Sequence, residues 1–278
     1  MATFVLIIHE YDRVTRTRFF LPLARNYLIC DVLAELRRRG HKVKVKAGAN
    51  HEPAGDIALL HVDCTVVPME YVDLARRFPV ALNVHAIDIT KRKISQALIG
   101  RETNWSGPVI VKSNHNSFGL RERAHNRRAR RRGRTPPHRD LGELCEYQIY
   151  DSPEHVPEQH WVDDDLAIEK FVPEIDPHGF GMRIWHFLGE SERCTRYVSP
   201  DRIIKTDSPM TYEPVPVPDD LRETRRRLGF DYGKWDFVMH QGRAVLIDAN
   251  KTPGRPPNAA GRRDLLVRAY VDDLELRF

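Results

Sequence analysis

The chain has 278 residues, 41% hydrophobic and 30% charged, the proportions of a soluble globular protein long enough for a well-buried core. Its formal charge of +5 is unevenly placed: Arg121 to Arg139 holds nine arginines and one glutamate, a net of +8, which leaves the remainder at −3. A uniformly basic surface is thereby excluded. No apolar run approaches the roughly 18 residues of a membrane span. The stretch Phe4 to Ile8 is too short for the apolar core of a signal peptide. Cys30, Cys64, Cys145 and Cys194 are far apart and form no CxxC pair, which points to reduced thiols and a cytoplasmic location.

In chain order, "TFVLII" is apolar throughout, as expected of a strand buried on both faces of a parallel sheet. Leu28, Val32, Leu33 and Leu36 recur at helical spacing and run into "RRRG", a helix stop. "HKVKVKA" alternates as a strand does, "DIALLHV" is a further buried strand, "PMEYVDLARRF" a helix and "VALNVHA" a strand. This order predicts a small Rossmann-like α/β unit, without a glycine fingerprint after the first strand and hence without a dinucleotide site there. "DITKRKISQALIG" reads as a short helix leading to the strand "GPVIVKS". After the arginines and a turn-rich stretch come "DLAIEKFVPEI", "GMRIWHFLG", "SERCTRYVS" and "RIIKTD", a predicted antiparallel set. "PDDLRETRRRLG" is a capped helix, and "KWDFVMHQGRAVLIDANKTPG" a β-hairpin with its glycine at the turn.

Asp248 and Asn250 are two residues apart, so they share one face of the second hairpin strand. A turn at Gln241–Arg243 sets Asp236 nearly opposite Asp248. Two carboxylates and an amide, all oxygen donors, then converge, a set that suits Mg²⁺. Strand-end residues capping a turn are the competing reading of a lone D-x-N.

Taken together, "GPVIVKS", "LAIEKFVPE" and "WDFV…AVLIDANKTPG" resemble, in order and spacing, the ATP-grasp superfamily, which includes D-alanine–D-alanine ligase and glutathione synthetase. The likeness covers roughly Asp88 to Gly254 and implies an α/β (α+β) ATP-grasp fold. The implied division is 1–88 as a pre-ATP-grasp unit, 89–168 as the lid and 169–278 as the part carrying hinge and metal site. By that resemblance Lys91 (or Lys93) and Lys112 contact nucleotide phosphates. Glu169, Lys170, Phe171 and Val172 hold adenine, and Asp176, with Glu174 as a rival, takes the ribose hydroxyls. Arg183 stabilises phosphate and an acyl-phosphate intermediate, and Asp236, Asp248 and Asn250 bind Mg²⁺. The implied activity is ATP-dependent activation of a carboxylate for attack by an amine, on an anionic small-molecule or peptide substrate.

The sequence departs from the pattern in two places. The family's glycine-rich phosphate loop is replaced by "KSNHNSFGL" and the arginines, whose mutual repulsion predicts a lid loop that does not fold on its own. A metal position commonly held by glutamate is Asp248, one methylene shorter. His9, His61 and His85 fall at the ends of first-unit strands and read as satisfied strand-end residues rather than metal ligands. With Asn83, Arg16 and Arg18 they are secondary candidates for the acceptor site, at the strand ends where α/β units bind ligands. Rival readings are an ATP-grasp kinase or a ligase on an anionic or tRNA-linked substrate. A different class of rival is a nucleic-acid-binding protein using Arg121–Arg139 as its arm, which lacks interleaved aromatics. A homodimer is compatible with all of these readings.

Overall fold

Phe4 to Ile8 are buried because β1 (Thr3–Ile8) is an inner strand with a covered layer on each side. In the computed structural model, which describes residues 1–12, 27–142, 146–205, 208–256 and 261–277, β1 lies between β2 (Lys42–Ala47) and β3 (Ile57–Leu60). β4 (Val80–Leu82) pairs with β3, giving the all-parallel order β2-β1-β3-β4. Side chains alternate along β1: Phe4, Leu6 and Ile8 pack with α1 (Ile29–Arg38), while Val5 and Ile7 pack with α2 (Met69–Arg76). The edge strand β2 keeps Lys42 and Lys44 exposed, which discourages pairing with another sheet.

A second, antiparallel sheet has β5 (Val109–Ser113) between β6 (Gln148–Tyr150) and β7 (Leu166–Lys170). Val109, Val111, Leu166 and Ile168 form its core face, against Trp161 of α5 (Glu158–Val162). The third sheet runs β11 (Thr211–Pro214), β10 (Ser191–Ser199), β9 (Gly179–Leu188), β12 (Tyr232–His240) and β13 (Arg243–Asn250), with the short β8 (Glu174–Asp176) also on β9. Trp185, Phe187, Trp235, Phe237 and Leu246 share one face of this sheet, buried with Leu221 of α6 (Asp219–Leu228). Gln241 and Gly242 both have positive φ, 50° and 78°, the geometry of a two-residue hairpin turn whose twist matches its strands. The last helix, α7 (Arg262–Glu275), buries Leu266, Tyr270 and Leu274 in the same core as Phe4 and Leu28. The carboxyl-terminal helix therefore covers one face of the amino-terminal sheet. Among the described residues no helix is long and apolar enough to cross a membrane.

Two expectations are corrected. "RIIKTD" is not a strand over its described residues, and the strand beside β10 is β11 instead. The arginine-rich segment is not an unfolded loop: Leu120–Arg131 forms α4, entered from β5 through a turn in which Ser117, Phe118 and Gly119 all have positive φ. A Cβ on Gly119 would strike the Leu141 side chain. The buried face of α4 comprises Glu122, His125, Asn126 and Ala129, spaced i, i+3, i+4, i+7. The periodicity is that of an amphipathic helix, but the face is polar, so a hydrophobicity pattern does not show it. Each of these polar side chains makes a hydrogen bond, although Glu122 Oε2 has no partner among the described residues. Glu122 Oε1 accepts from Thr65 N at 2.5 Å, His125 Nε2 lies 2.7 Å from Asp12, and Asn126 donates to His138 O at 2.8 Å. Many arginines are also engaged internally: Arg121 with Asp63, Arg128 with Tyr11 O, Arg130 with Asp140, Arg134 with Glu10 and Arg139 with Asp165. These pairings offset the repulsion that predicted disorder.

Candidate active site

The second sheet faces the third across a cleft of about 850 Å³, its open mouth included. Ile110 and Lys112 of β5 line it from one side because they alternate with the core residues Val109 and Val111. Lys170, Phe171, Val172 and Pro173, the link from β7 to β8, form its end. Phe180, Met182, Asp236, Val238, Ile247 and Asp248 form its floor, and Lys91, at the start of α3 (Lys91–Ile94), enters beside them. An apolar slot and a charged end thus occupy one cavity, the usual make-up of a small-molecule site.

At the charged end, Asp236 and Asp248 are register partners across the hairpin, beside an irregularity between Asp236 and Phe237. Lys91 Nζ lies 2.6 Å from Asp248 Oδ1, and Lys234 Nζ lies 3.0 Å from Asp236 Oδ2. Asp236 Oδ1 is buried without a hydrogen-bond partner among the described residues. Burial, and then the charge of Asp248, raises the Asp236 pKa despite the opposing pull of Lys234. Burial acts the same way on Asp248, but Lys91 and Lys234 outweigh it and the Asp248 carboxyl is held below its ordinary value. Behind the slot, Lys112 Nζ is 2.7 Å from Oε2 of Glu169, the fully buried register partner of Ile110, and Glu169 Oε1 has no partner among the described residues. Tyr147 lines the junction of the two ends, its hydroxyl pushed up to about 12 by burial and by the charge of Asp248.

The structure therefore brings Lys91, Lys112, Lys170, Phe171, Val172, Asp236 and Asp248 to one cavity, with Glu169 buried behind it and joined to it through Lys112. Lys93 is exposed, so Lys91 is the lysine of that helix that reaches the cavity. Asn250 shares the face of Asp248, but its Oδ1 accepts from Thr252 N at 2.8 Å. The assignments of Arg183 and Asp176 require correction. Arg183 alternates with Trp185 and Phe187 on β9, which puts it on the face opposite Met182 and the carboxylates. Its Nε donates to Glu174 Oε1 at 2.7 Å. Glu174 and Asp176 occupy that same far face, because Ile175 between them pairs with the cavity residue Phe180. Asp176 accepts from Arg196 at 2.9 Å, and Glu174 accepts from Arg183, Arg196 and Met239 N. Strand alternation in "GMRIWHFLG" carried this information: the two aromatics mark the core face and Arg183 falls with them.

Residues not singled out from the sequence are Ile110, Tyr147, Arg202, Ile203, Ile204 and Lys234. Ile110 and Lys234 stand two residues from Lys112 and Asp236, so alternation could have found them. Arg202 to Ile204 reach the cavity from an irregular segment and left no periodic signal. Among the first-unit histidines, His61 is fully buried with neither ring nitrogen partnered among the described residues, and His85 is exposed. Asn83 is spent on structure: its side chain bonds Asp231 N, Tyr232 N and Tyr232 O. Arg16, Arg18 and Cys145 lie outside the described residues, and Cys64 and Cys194 are buried free thiols.

A parallel sheet, a small antiparallel sheet, and a larger antiparallel sheet whose terminal hairpin carries two carboxylates facing the cleft define the ATP-grasp fold, and the chain has this fold. Two solved structures of that fold are similar over nearly their whole length. One is the D-alanine–D-alanine ligase of Bacillus anthracis complexed with ATP, at 12% identity and a TM-score of 0.51, covering 100% of this chain and 99% of that one. The other is the RimK domain ATP-grasp protein of Sphaerobacter thermophilus, at 14% identity and a TM-score of 0.51, covering 98% and 99%. No family model matches the sequence, and no curated protein is similar to it at the level of sequence.

Proposed function

We propose that the chain is an ATP- and Mg²⁺-dependent ligase that activates a carboxylate as an acyl phosphate for attack by an amine. The observation that carries this reading is the confluence, in one cavity, of an apolar slot, two lysines and a pair of register-matched carboxylates. Adenine fits between Ile110 and Met182, with the unpartnered Glu169 Oε1 accepting from its exocyclic amine. Lys112 and Lys91 then lie along the phosphates, where they offset charge that spreads over the transferring oxygens.

The donor set fits Mg²⁺: Asp236 and Asp248 offer only oxygens, and Asp236 Oδ1 is a buried acceptor in need of a partner. Bound there, the ion would neutralise phosphate charge and orient the γ-phosphoryl. The cation that assists transfer beside these carboxylates is Lys234, which shares their face, and not Arg183. The substrate carboxylate attacks the γ-phosphorus, ADP leaves, and the amine displaces phosphate from the acyl phosphate. No enzyme nucleophile is needed. The carboxylate donor is a small molecule or peptide, and the reaction is placed in the cytoplasm.

The test is ADP release across a panel of carboxylates and amines, together with thermal stabilisation by ADP with and without Mg²⁺. Stabilisation that depends on Mg²⁺ and is lost in Lys112→Met supports the reading. A melting temperature indifferent to nucleotide under all conditions overturns it.

A further inference from the structure

The arginine-rich segment carries two histidines, His125 in α4 and His138 beyond it, and both meet His9 at the carboxyl end of β1. One ring nitrogen from each of these residues lies within 4.8 Å of the others. His125 Nδ1 and His138 Nε2 are 3.1 Å apart; the rings of His9 and His125 stack with centroids 4.0 Å apart, a stacking that metal binding must open because an ion lies in the plane of each ligating ring. Two nitrogens on a tetrahedral Zn²⁺ are about 3.3 Å apart, given Zn–N bonds of about 2.0–2.1 Å. From these contacts we infer a three-histidine site for a late transition-metal dication, Zn²⁺ in the first instance, formed by His9, His125 and His138.

The hydrogen bonds around the cluster select the ligating atoms. His9 Nδ1 accepts from Tyr11 N at 3.1 Å, leaving Nε2 for the ion. His125 Nε2 is 2.7 Å from Asp12 Oδ1, which holds the proton on that nitrogen and turns the Nδ1 lone pair toward His138. Asp12 is itself held by the backbone N–H groups of His9 and Asp63 at 3.2 and 3.1 Å. A carboxylate behind a ligating imidazole is the arrangement that fixes tautomer and ring orientation in metal sites. His138 contributes Nε2, and its partial exposure provides the entry path and room for a water as fourth ligand. Among the described residues, the expectation of satisfied strand-end hydrogen bonds at His9 is met by a bond to Nδ1.

The ion would tie the arginine-rich segment to the first sheet at two points, His125 and His138, through His9, the residue that follows β1, more than 100 positions away. It explains why an isolated polar helix face docks at the end of β1. The inference stands apart from the nucleotide-site reading and shares no residue with it.

The protein, treated with chelator and returned to metal-free buffer at pH 7.5, is titrated with ZnCl₂ by calorimetry. The expected result is one equivalent with a Kd below ~1 µM. His138→Gln and His9→Gln, checked for native far-UV circular dichroism, are each expected to lose on the order of 100-fold in affinity. Bound Co²⁺ is expected to give the visible bands of a tetrahedral site, and Zn²⁺ to slow trypsin cleavage between Arg127 and Arg134. Failure of the wild type to take up zinc, which leaves only a hydrogen-bonded histidine cluster, overturns the inference. So does zinc uptake that survives either substitution.

Discussion

Glu169 offers the sharpest test of the site. Its carboxylate is fully buried, with Oε2 2.7 Å from Lys112 Nζ and Oε1 unpartnered among the described residues. Glu169→Gln keeps the volume but supplies one acceptor and one donor in place of two acceptors. If the amide oxygen keeps Lys112, the NH₂ is directed at the base amine and repels it. A hydrogen bond to a charged group is worth about 1.5–3 kcal/mol, so ADP affinity is expected to fall ~10- to 150-fold. In the absence of ligand, Lys112 also loses its counter-charge. Removing one partner of a buried pair costs about 3–5 kcal/mol, and because the glutamine oxygen still accepts, a loss of roughly 1–3 kcal/mol is expected. Calorimetric titration with MgADP measures the first effect and urea unfolding the second. MgGDP is the comparator, because guanine presents a carbonyl where adenine presents its amine. The variant's preference for ADP over GDP should therefore narrow. A variant that unfolds more readily yet binds MgADP within twofold of wild type would refute the reasoning, since Glu169 would then serve Lys112 alone.

Asp248→Asn removes the charge facing Lys91 and half of the carboxylate pair; Mg²⁺-dependent ADP stabilisation should disappear and turnover should fall on the order of 100-fold or more. Arg183→Gln should leave MgADP affinity within twofold while lowering stability by about 1–2 kcal/mol, because the guanidinium serves Glu174 on the far face; a large affinity loss in calorimetry would restore Arg183 to the site. Burial raises the Asp165 carboxyl, but Arg139 and His115 outweigh it and hold it at about 2. Its folded-state value is thus below the ordinary 3.8, so its contribution is present above about pH 4 and lost as pH falls toward 2. With screening at this partly open position, the gap in urea stability between wild type and Asp165→Asn should be about 1 kcal/mol at pH 6 and close to zero at pH 2.

Local patterns in the sequence determined much of the architecture. The unbroken apolar run of β1, the i, i+3, i+4 spacing in α1 and the glycine turn between β12 and β13 each dictate a conformation through interactions a few residues long. The face shared by Asp248 and Asn250, and the placing of Asp236 opposite Asp248, follow from strand periodicity and one tight turn. The ordered motifs converge on one cavity for the same reason. Strand alternation also contained the exclusion of Arg183, since side chains two apart cannot face opposite ways.

Other features arise only when distant segments meet. The fate of the arginine-rich run depended on partners at Asp12, Glu10, Asp63 and Asp165, none of them near it in sequence, which convert self-repulsion into a docked helix. The packing of α7 against α1 joins the two ends of the chain in one core. The same long-range convergence placed His9 beside His125 and His138 and brought Arg202 to Ile204 into the cavity. Local conformation and face follow from short-range sterics and periodicity, which a sequence displays; the pairing of charges and ligands across folded segments is decided by where the chain crosses itself.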